Sequence, residues 1–193
     1  VIEKLIKKVN HIIIGGAMSN TFIKAVGGNI GSSLYEKDKI EVVLELFEKA
    51  KKNNVKIHLP EDCIIAKEIK KGIKSEVSPS KNIKNKMMSL DIGPKAINSF
   101  EKIIKNSKKI LWNGPMGVYE IDEFSNGTNK IADFVSNVTK KGSFSLVGGG
   151  DSVAAINKNK MNKNISFIST GGGAMLDFIS NNKVPAIEIL KEK

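Results

Sequence analysis

The sequence predicts an α/β fold: a three-layer Rossmann-like domain with a mainly parallel sheet flanked by helices on both faces. Short apolar runs alternate with amphipathic stretches of helical period, which is the pattern of a parallel sheet covered by helices. Two of these runs precede glycine triplets: residues 144–147 are followed directly by Gly148–Gly150, and residues 165–168 are followed by Ser169, Thr170 and then Gly171–Gly173. Because the 193 residues show no break in composition, we predict a single domain over residues 1–193.

The N-terminal part of the chain predicts a helix, a strand and a second helix. Apolar residues recur at helical spacing over residues 2–9, and the chain starts in that helix without a capping residue. The apolar run 11–14 then ends at Gly15 and Gly16 and opens a helical stretch over 17–26. This strand, glycine turn and helix form the first part of a βαβ unit.

The following elements continue the alternation. An amphipathic helix is predicted over residues 39–52, followed by a strand over 55–59 that Pro60 ends. Between residues 70 and 88, lysine, serine and asparagine predominate and predict an exposed hairpin or mobile loop. Order returns in the second half of the chain. The elements predicted there are a helix from Pro94 to about 106, a strand over 109–112, a helix over 128–140, and the two strands that end in glycine triplets.

Composition excludes several classes of protein. The 31 basic residues exceed the 20 acids and give a net charge of +11, which on its own suggests a polyanionic partner. However, the chain has no arginine, its lysines are scattered, and aromatics make up only 6% of it, so we predict no specific nucleic-acid partner. No apolar stretch approaches the ~20 residues of a membrane span, and we predict no membrane association. The single cysteine, Cys63, is predicted to be a buried apolar residue, and the two histidines to be structural.

The glycine triplets predict anion sites. Residues without Cβ let the backbone approach a phosphate, and the unpaired N–H groups of the next helix then point toward it. Gly15–Gly16, the turn at 113–115 and both triplets follow strands, so in a parallel sheet all four loops line one crevice beyond the carboxyl ends of the strands. We therefore predict phosphate chemistry in that crevice.

Two acidic residues stand out beside these loops. Glu120 ends the loop 112–120 and could accept hydrogen bonds from both hydroxyls of a ribose. Asp151 directly follows a glycine triplet, where a carboxylate can hold Mg²⁺ between phosphate oxygens. The alternative is that Asp151 caps the following helix, a role that Ser152 could equally fill.

Together, these motifs resemble the C-terminal, nucleotide-binding domain of the phosphoglycerate kinases. The resemblance covers nearly the whole chain, in family order and with family spacing. It rests on residues 15–22, 31–36, 59–62, 90–94, 112–120, 148–156 and 169–174. It implies a reversible glycolytic kinase that moves the acyl phosphate of 1,3-bisphosphoglycerate to MgADP and gives 3-phosphoglycerate and ATP.

Position by position, the resemblance also implies roles for individual residues. Gly172 and Gly173 are the catalytic pair, whose backbone N–H groups meet the phosphoryl group in transfer, and Asp151 is the residue linked to the metal. Ser89 replaces a glycine whose backbone lies against the nucleotide in the family. The residues implied to bind the nucleotide and its Mg²⁺ are Gly15, Gly16, Ser89, Leu90, Asn113, Pro115, Val118, Glu120, Gly149, Gly150, Asp151 and Ser152.

The chain also departs from the family pattern. A strand with a Gly-Gly-Ala-Lys motif and the N-terminal domain that binds 3-phosphoglycerate have no counterpart in the sequence. We therefore expect a truncated chain that is inactive alone, from an intact enzyme that is monomeric and cytoplasmic, although a plastid isoform also fits. The alternative function is a nicotinamide-dinucleotide-binding domain of an oxidoreductase, but the Gly15–Gly16 turn lacks the third glycine of that fingerprint.

Overall fold

Helices alternate with parallel strands along the chain, which confirms the predicted α/β class. The structure is a computed structural model that describes residues 1–181, so residues 182–193 of the predicted domain lie outside it. The helices described are α1 Ile2–Leu5, α2 Gly16–Ala25, α3 Ile40–Lys52, α4 Pro94–Lys105, α5 Asn126–Lys140, α6 Gly150–Lys158 and α7 Gly172–Asn181. The strands are β1 His11–Ile13, β2 Asn29–Ile30, β3 Lys56–His58, β4 Asp62–Ala66, β5 Glu76–Pro79, β6 Asn82–Ile83, β7 Met88–Ile92, β8 Lys109–Asn113, β9 Phe144–Gly148 and β10 Phe167–Ser169.

The main parallel strands form two hydrogen-bonded groups. One is the pair β1 and β3, and the other is the three-stranded sheet in the order β10, β9, β8. In the second group Asn113 pairs with Gly148, and Gly148 pairs with Ser169, so the three strands end at the same level. The loops that follow these strands therefore start side by side.

Two apolar clusters hold the helices against these strands. The larger packs α4, α5 and α6 on β8 and β9, with Phe100, Trp112 and Val147 buried inside it. The smaller packs α2 and α3 on β1, around Phe22 and Val43. Among the described residues, no helix has both the length and the apolar content needed to cross a bilayer.

A small antiparallel sheet between residues 62 and 92 was not predicted. The chain reverses after Pro60, and β4 pairs in antiparallel fashion with both β5 and β7. The prediction of a loop or exposed hairpin over residues 70–88 is therefore wrong in part, because β5 and β6 form within it. The strand β5 lies at the edge of this sheet, and its Val77 is exposed. The lysine-rich composition of the segment fits this position, because charged side chains are typical of edge strands.

Buried polar groups complete the local structure around these strands. As predicted, Pro94 begins α4, but the cap of that helix comes from a distant residue. Asp62 of β4 accepts hydrogen bonds from the amides of Lys95 and Ala96, at 3.1 and 2.8 Å, and so satisfies two of the helix's free donors. Cys63 is buried as predicted, and burial raises the pKa of its thiol.

Candidate functional site

The loops after β8, β9 and β10 meet at one point. A Cβ added at Gly172 would lie 2.6 Å from the Cα atom of Gly149 and 3.3 Å from Nδ2 of Asn113. A Cβ added at Gly149 would lie 3.1 Å from the same Nδ2 atom. The structure therefore brings Asn113 and both glycine triplets together, and the backbones approach so closely that a side chain at Gly172 would not fit.

Two helix N-termini open at this point. The helix α6 begins at Gly150, after Gly149 with a φ of 87°, and α7 begins at Gly172. The N-cap residue of α6 is Gly149, so the alternative in which Asp151 or Ser152 is the N-cap of this helix is wrong. Gly150 and Gly173 are exposed, and a Cβ added at either would meet nothing within 4 Å. The N-terminal turns of two helices thus lie beside open space. We call the residues that form this place the glycine cradle: Asn113, Gly149, Gly150, Gly172 and Gly173.

Asp151 lies at the edge of the glycine cradle and is exposed to solvent. The hydroxyl of Tyr119 donates a long hydrogen bond of 3.4 Å to its Oδ1 atom. Burial raises the pKa of Tyr119, and the negative charges of Asp151 and Glu120 raise it further. The two acidic residues singled out in the sequence are thus electrostatically linked through Tyr119, which sequence reasoning missed.

The donor set at Asp151 fits a magnesium ion held jointly with a ligand. Within the described residues, no group of three or more His, Cys, Asp or Glu side chains is arranged to hold a metal. Magnesium sites of kinases typically use one or two carboxylates together with substrate phosphates and water. Asp151 can supply such a carboxylate, while phosphates in the glycine cradle would supply the other oxygens.

The Gly15–Gly16 turn closes the other side of the site. A Cβ added at Gly15 would collide with the side chain of Met116, and one added at Gly16 would lie 2.7 Å from the carbonyl oxygen of Pro115. Gly16 also has a φ of 59°, in the left-handed region that favours glycine. The predicted meeting of this turn with the loop after β8 is therefore present.

The loop 113–120 is held at several backbone positions. The amide of Met116 donates to Oγ1 of Thr128 at 3.0 Å, and the amide of Val118 donates to the carbonyl of Leu90 at 2.8 Å. The amide of Gly114 donates to Oγ of Ser152 at 2.7 Å. Such bonds from distant elements hold a loop rich in glycine and proline in one conformation.

The predicted nucleotide-binding residues differ in what their side chains can reach. Asn113, Glu120 and Asp151 are exposed, whereas Ser152 is fully buried and Leu90 lies in a small apolar cluster with Phe124. Ser152 and Leu90 therefore support the loop from within the fold.

Ser89 also contributes to this support. It lies on β7, and its amide donates to Oγ of Ser33 at 2.9 Å. This bond ties β7 to the segment after β2 through the backbone. Ser33 lies in the matched segment 31–36, but neither its contact with Ser89 nor that of Thr128 with Met116 was predicted, because each joins residues more than ten positions apart.

The family model that matches this chain is described as phosphoglycerate kinase, and the match covers residues 1–182. The phosphoglycerate kinase of Chlorobaculum tepidum is 44% identical over 192 residues, which cover 100% of this chain and 48% of that protein. That of Thermus thermophilus is 39% identical over 191 residues, 99% of this chain and 48% of the protein. The chain thus spans about half the length of the curated relatives it matches.

Solved structures agree with the sequence matches. The structure of phosphoglycerate kinase from Coxiella burnetii superposes with a TM-score of 0.90 at 38% identity, covering 99% of this chain and 48% of that chain. The enzyme from Pyrococcus horikoshii superposes with a TM-score of 0.80 at 26% identity, covering 98% of this chain and 47% of that chain.

Proposed function

This chain belongs to the phosphoglycerate kinase family, and we propose that it forms the nucleotide-binding part of such a kinase. The observation that carries the proposal is the contact of Asn113, Gly149 and Gly172 at the ends of three parallel strands. In open parallel sheets, ligands bind beyond the carboxyl ends of the strands, and helix N-termini there favour phosphates. ADP or ATP is the ligand that fits both the family and the glycine cradle.

The reaction that we propose for the whole protein is reversible phosphoryl transfer in glycolysis. A terminal oxygen of ADP attacks the phosphorus of the acyl phosphate in 1,3-bisphosphoglycerate, the bond to the acyl oxygen breaks, and 3-phosphoglycerate leaves as ATP forms. The phosphoryl group in flight carries charge on its three equatorial oxygens. The backbone N–H groups at Gly172 and Gly173 are suited to stabilise that charge, because the fold holds them in place before the reaction.

Asp151 is the residue that we propose to hold Mg²⁺ together with the nucleotide phosphates. The ion would neutralise phosphate charge, while Glu120 would accept hydrogen bonds from the ribose. The walls around the base and the sugar would come from Gly15, Gly16, Pro115 and Val118.

Calorimetric titration with ADP, in the presence and absence of Mg²⁺, tests this proposal. The unaltered chain should bind MgADP, and Asp151→Asn should weaken Mg²⁺-dependent binding more than metal-free binding. Glu101→Gln on α4, whose partner is Lys105, is the control and should leave both affinities unchanged. Failure of the unaltered chain to bind MgADP would overturn the proposal, and equal losses with and without Mg²⁺ would remove the metal role of Asp151.

The nicotinamide-binding alternative is set aside, because the family match spans residues 1–182. A competition titration makes this choice testable, since ATP should displace bound ADP whereas NAD should not.

Turnover is proposed only for the longer protein. The chain has no arginine to clamp a phosphorylated acid, so we expect the 193 residues alone to form no ATP from 1,3-bisphosphoglycerate and MgADP. Formation of ATP at the rate of an ordinary kinase would contradict this expectation. A monomeric state and a cytoplasmic location remain part of the proposal.

A further inference from the structure

A buried carboxylate lies directly behind the loop 113–120. Asp91 is on β7, is only 2% exposed, and is not among the residues that we expect to touch the nucleotide. Its Oδ2 atom accepts a hydrogen bond of 2.7 Å from the amide of Gly127, in the first turn of α5. Its Oδ1 atom accepts one of 2.9 Å from the amide of Ile92. Asp91 therefore caps a helix from a distant strand, as Asp62 does for α4.

The two residues that hold the loop 113–120 are both neighbours of this contact. Leu90, whose carbonyl accepts the amide of Val118, precedes Asp91 in the chain. Thr128, whose hydroxyl accepts the amide of Met116, follows Gly127. The bond from Gly127 to Asp91 thus fixes the distance between the two anchors of the loop.

The packing around the carboxylate leaves no room for adjustment. A Cβ added at Gly117 would collide with Oδ1 of Asp91 and would lie 2.6 Å from the carbonyl oxygen of Leu90. A Cβ added at Gly127 would also collide with the carboxylate. The loop and the start of α5 therefore rest directly on Asp91.

We propose that Asp91 is a positioning residue of the nucleotide site, which holds residues 116–118 in the conformation that binds ADP and ATP. This inference rests on the proposed function. Asp91 binds the amide of Gly127. Its neighbour Leu90 and the neighbour of Gly127, Thr128, in turn hold the amides of Val118 and Met116. Asp91 itself does not touch the ligand.

Ionisation of Asp91 provides a distinctive readout. Burial raises the pKa of its carboxyl to about 7, against the opposing effect of the Gly127 and Ile92 amides. Within the described residues, no charged side chain contributes to this shift. The elements that contact β7 or precede α5 also carry titratable groups. They are Asp62 and Cys63 on β4, Lys24 on α2, Tyr119 and Glu120 in the loop, Asp122 and Glu123 ahead of α5, and Lys130, Asp133 and Lys140 on α5.

The pH dependence of fold stability distinguishes a positioning role of Asp91 from a purely stabilising one. Because the folded pKa is raised, the stability that this group contributes is present below its unfolded pKa of about 3.9 and is lost as pH rises through about 7. Ionisation of Asp91 therefore lowers the stability of the fold. The ionised carboxylate, however, is purely an acceptor for the amides of Gly127 and Ile92, whereas the protonated carboxyl also carries a donor. Nucleotide affinity and fold stability should respond to its ionisation in opposite directions.

The experiment compares Asp91→Asn with Asp62→Asn, a matched control that removes an equally buried helix cap away from the loop. Affinity for MgADP is measured by calorimetry from about pH 6 to about pH 8, and the unfolding free energy by denaturant titration. We expect Asp91→Asn to bind MgADP about tenfold more weakly at the upper pH and nearly normally at the lower pH. Asp62→Asn should lower stability while its affinity remains that of the unaltered chain at every pH.

The outcomes distinguish this inference from the proposed function. If the unaltered chain binds no MgADP, the proposed function fails. If it binds MgADP and Asp91→Asn binds equally well at both pH values, or if both variants lose affinity alike, the positioning role is overturned. Because nucleotide phosphates titrate identically in all samples, only the ratio of affinities between variants is interpreted.

A second pair of variants tests the same link should Asp91→Asn not fold. Thr128→Val removes the acceptor for the amide of Met116 with little change in shape, and Thr128→Ser keeps the hydroxyl. Loss of MgADP affinity in the valine variant with retention in the serine variant supports the inference. Equal affinities in the two variants contradict it.

Discussion

The amide of Gly114 donates a 2.7 Å hydrogen bond to the hydroxyl of Ser152, 38 residues further along the chain. This bond joins the loop after β8 to the first turn of α6. The indole of Trp112 holds the same turn by donating to the carbonyl of Gly114, also at 2.7 Å. The position of Asn113, and with it one side of the glycine cradle, therefore depends on a buried serine.

Ser152→Ala should destabilise the fold by about 1–3 kcal/mol, because it leaves the partly buried amide of Gly114 without its acceptor. It should also weaken MgADP binding, since Asn113 is no longer held beside Gly149. Denaturant titration and calorimetry measure the two effects. Ser99→Ala is the control, because that hydroxyl bonds only within its own helix, and it should change neither quantity by more than about 0.5 kcal/mol.

Gly172→Ala should be destabilising although alanine is the better helix former. The added Cβ would meet the backbone of Gly149 at 2.6 Å, and overpacking costs about 1–3 kcal/mol, more than the roughly 0.5–1 kcal/mol that alanine gains in a helix. We expect both a lower unfolding free energy and weaker MgADP binding.

Gly171→Ala provides the comparison for this change. Its Cβ would lie 3.8 Å from the Cβ of Ala174, an ordinary contact, so the protein should keep its stability. Equal stability of the two alanine variants would show that α6 and α7 do not meet as closely as the structure has them.

Asp151→Asn should lower the pKa of Tyr119. Burial raises this pKa, and the charge of Asp151 and its hydrogen bond raise it further; removing the charge therefore eases ionisation of the phenol. Ultraviolet titration of tyrosinate measures the shift in a Tyr35→Phe background, since the chain has only 2 tyrosines. Glu101→Gln is the control and should leave the titration unchanged. An unchanged pKa of Tyr119 in Asp151→Asn would show that Tyr119 and Asp151 do not interact in solution.

Acidification should destabilise the contact between β1 and β3. Nδ1 of His11 and Nε2 of His58 lie 3.0 Å apart across these strands, so one ring must be neutral to accept the bond. Burial lowers the pKa of His58, and the charges of His11 and Lys56 lower it further. A depressed folded pKa means that the stabilisation is present above the unfolded pKa of about 6.5 and is lost as pH falls below it.

The measurement is Tm between about pH 7.5 and about pH 5.5. Tm of the unaltered chain should fall over this range, and His58→Gln should reduce the fall. Lys109→Gln, on β8 and outside the β1–β3 pair, is the control and should follow the unaltered protein. A fall of the same size in His58→Gln would show that other groups cause it.

Much of the fold followed from local patterns. The helices predicted over residues 17–26, 39–52 and from Pro94 to about 106 lie within one residue of α2, α3 and α4 at each end. These helices could be predicted from the sequence, because the amphipathic period, Pro94 and the glycine turns each depend on residues that are neighbours in the chain. The candidate site residues were predicted from motifs in the same way, and their contact with a nucleotide stays a prediction.

The antiparallel sheet of β4, β5 and β7 did not follow from such patterns. Its strands are short, and the segment between them is rich in lysine and asparagine, whose β propensity is low. Pairing of Cys63 with both Ser78 and Ile92 stabilises the sheet, and pairing across that distance leaves no periodicity in sequence. Asp62 and Asp91 lie in the matched segments 59–62 and 90–94, but their capping contacts could not be predicted, because each bonds a helix that another segment of the chain forms.

The sequence by itself determined the α/β class, the helices and the glycine triplets, because period, proline and glycine act on the backbone within a few residues. Only the tertiary structure decided that Asn113, Gly149 and Gly172 touch, that Tyr119 reaches Asp151, and that a buried Asp91 lies behind the loop 113–120. These contacts depend on the register of strands and on the packing of helices. Both are set by burial and hydrogen bonding summed over the whole chain.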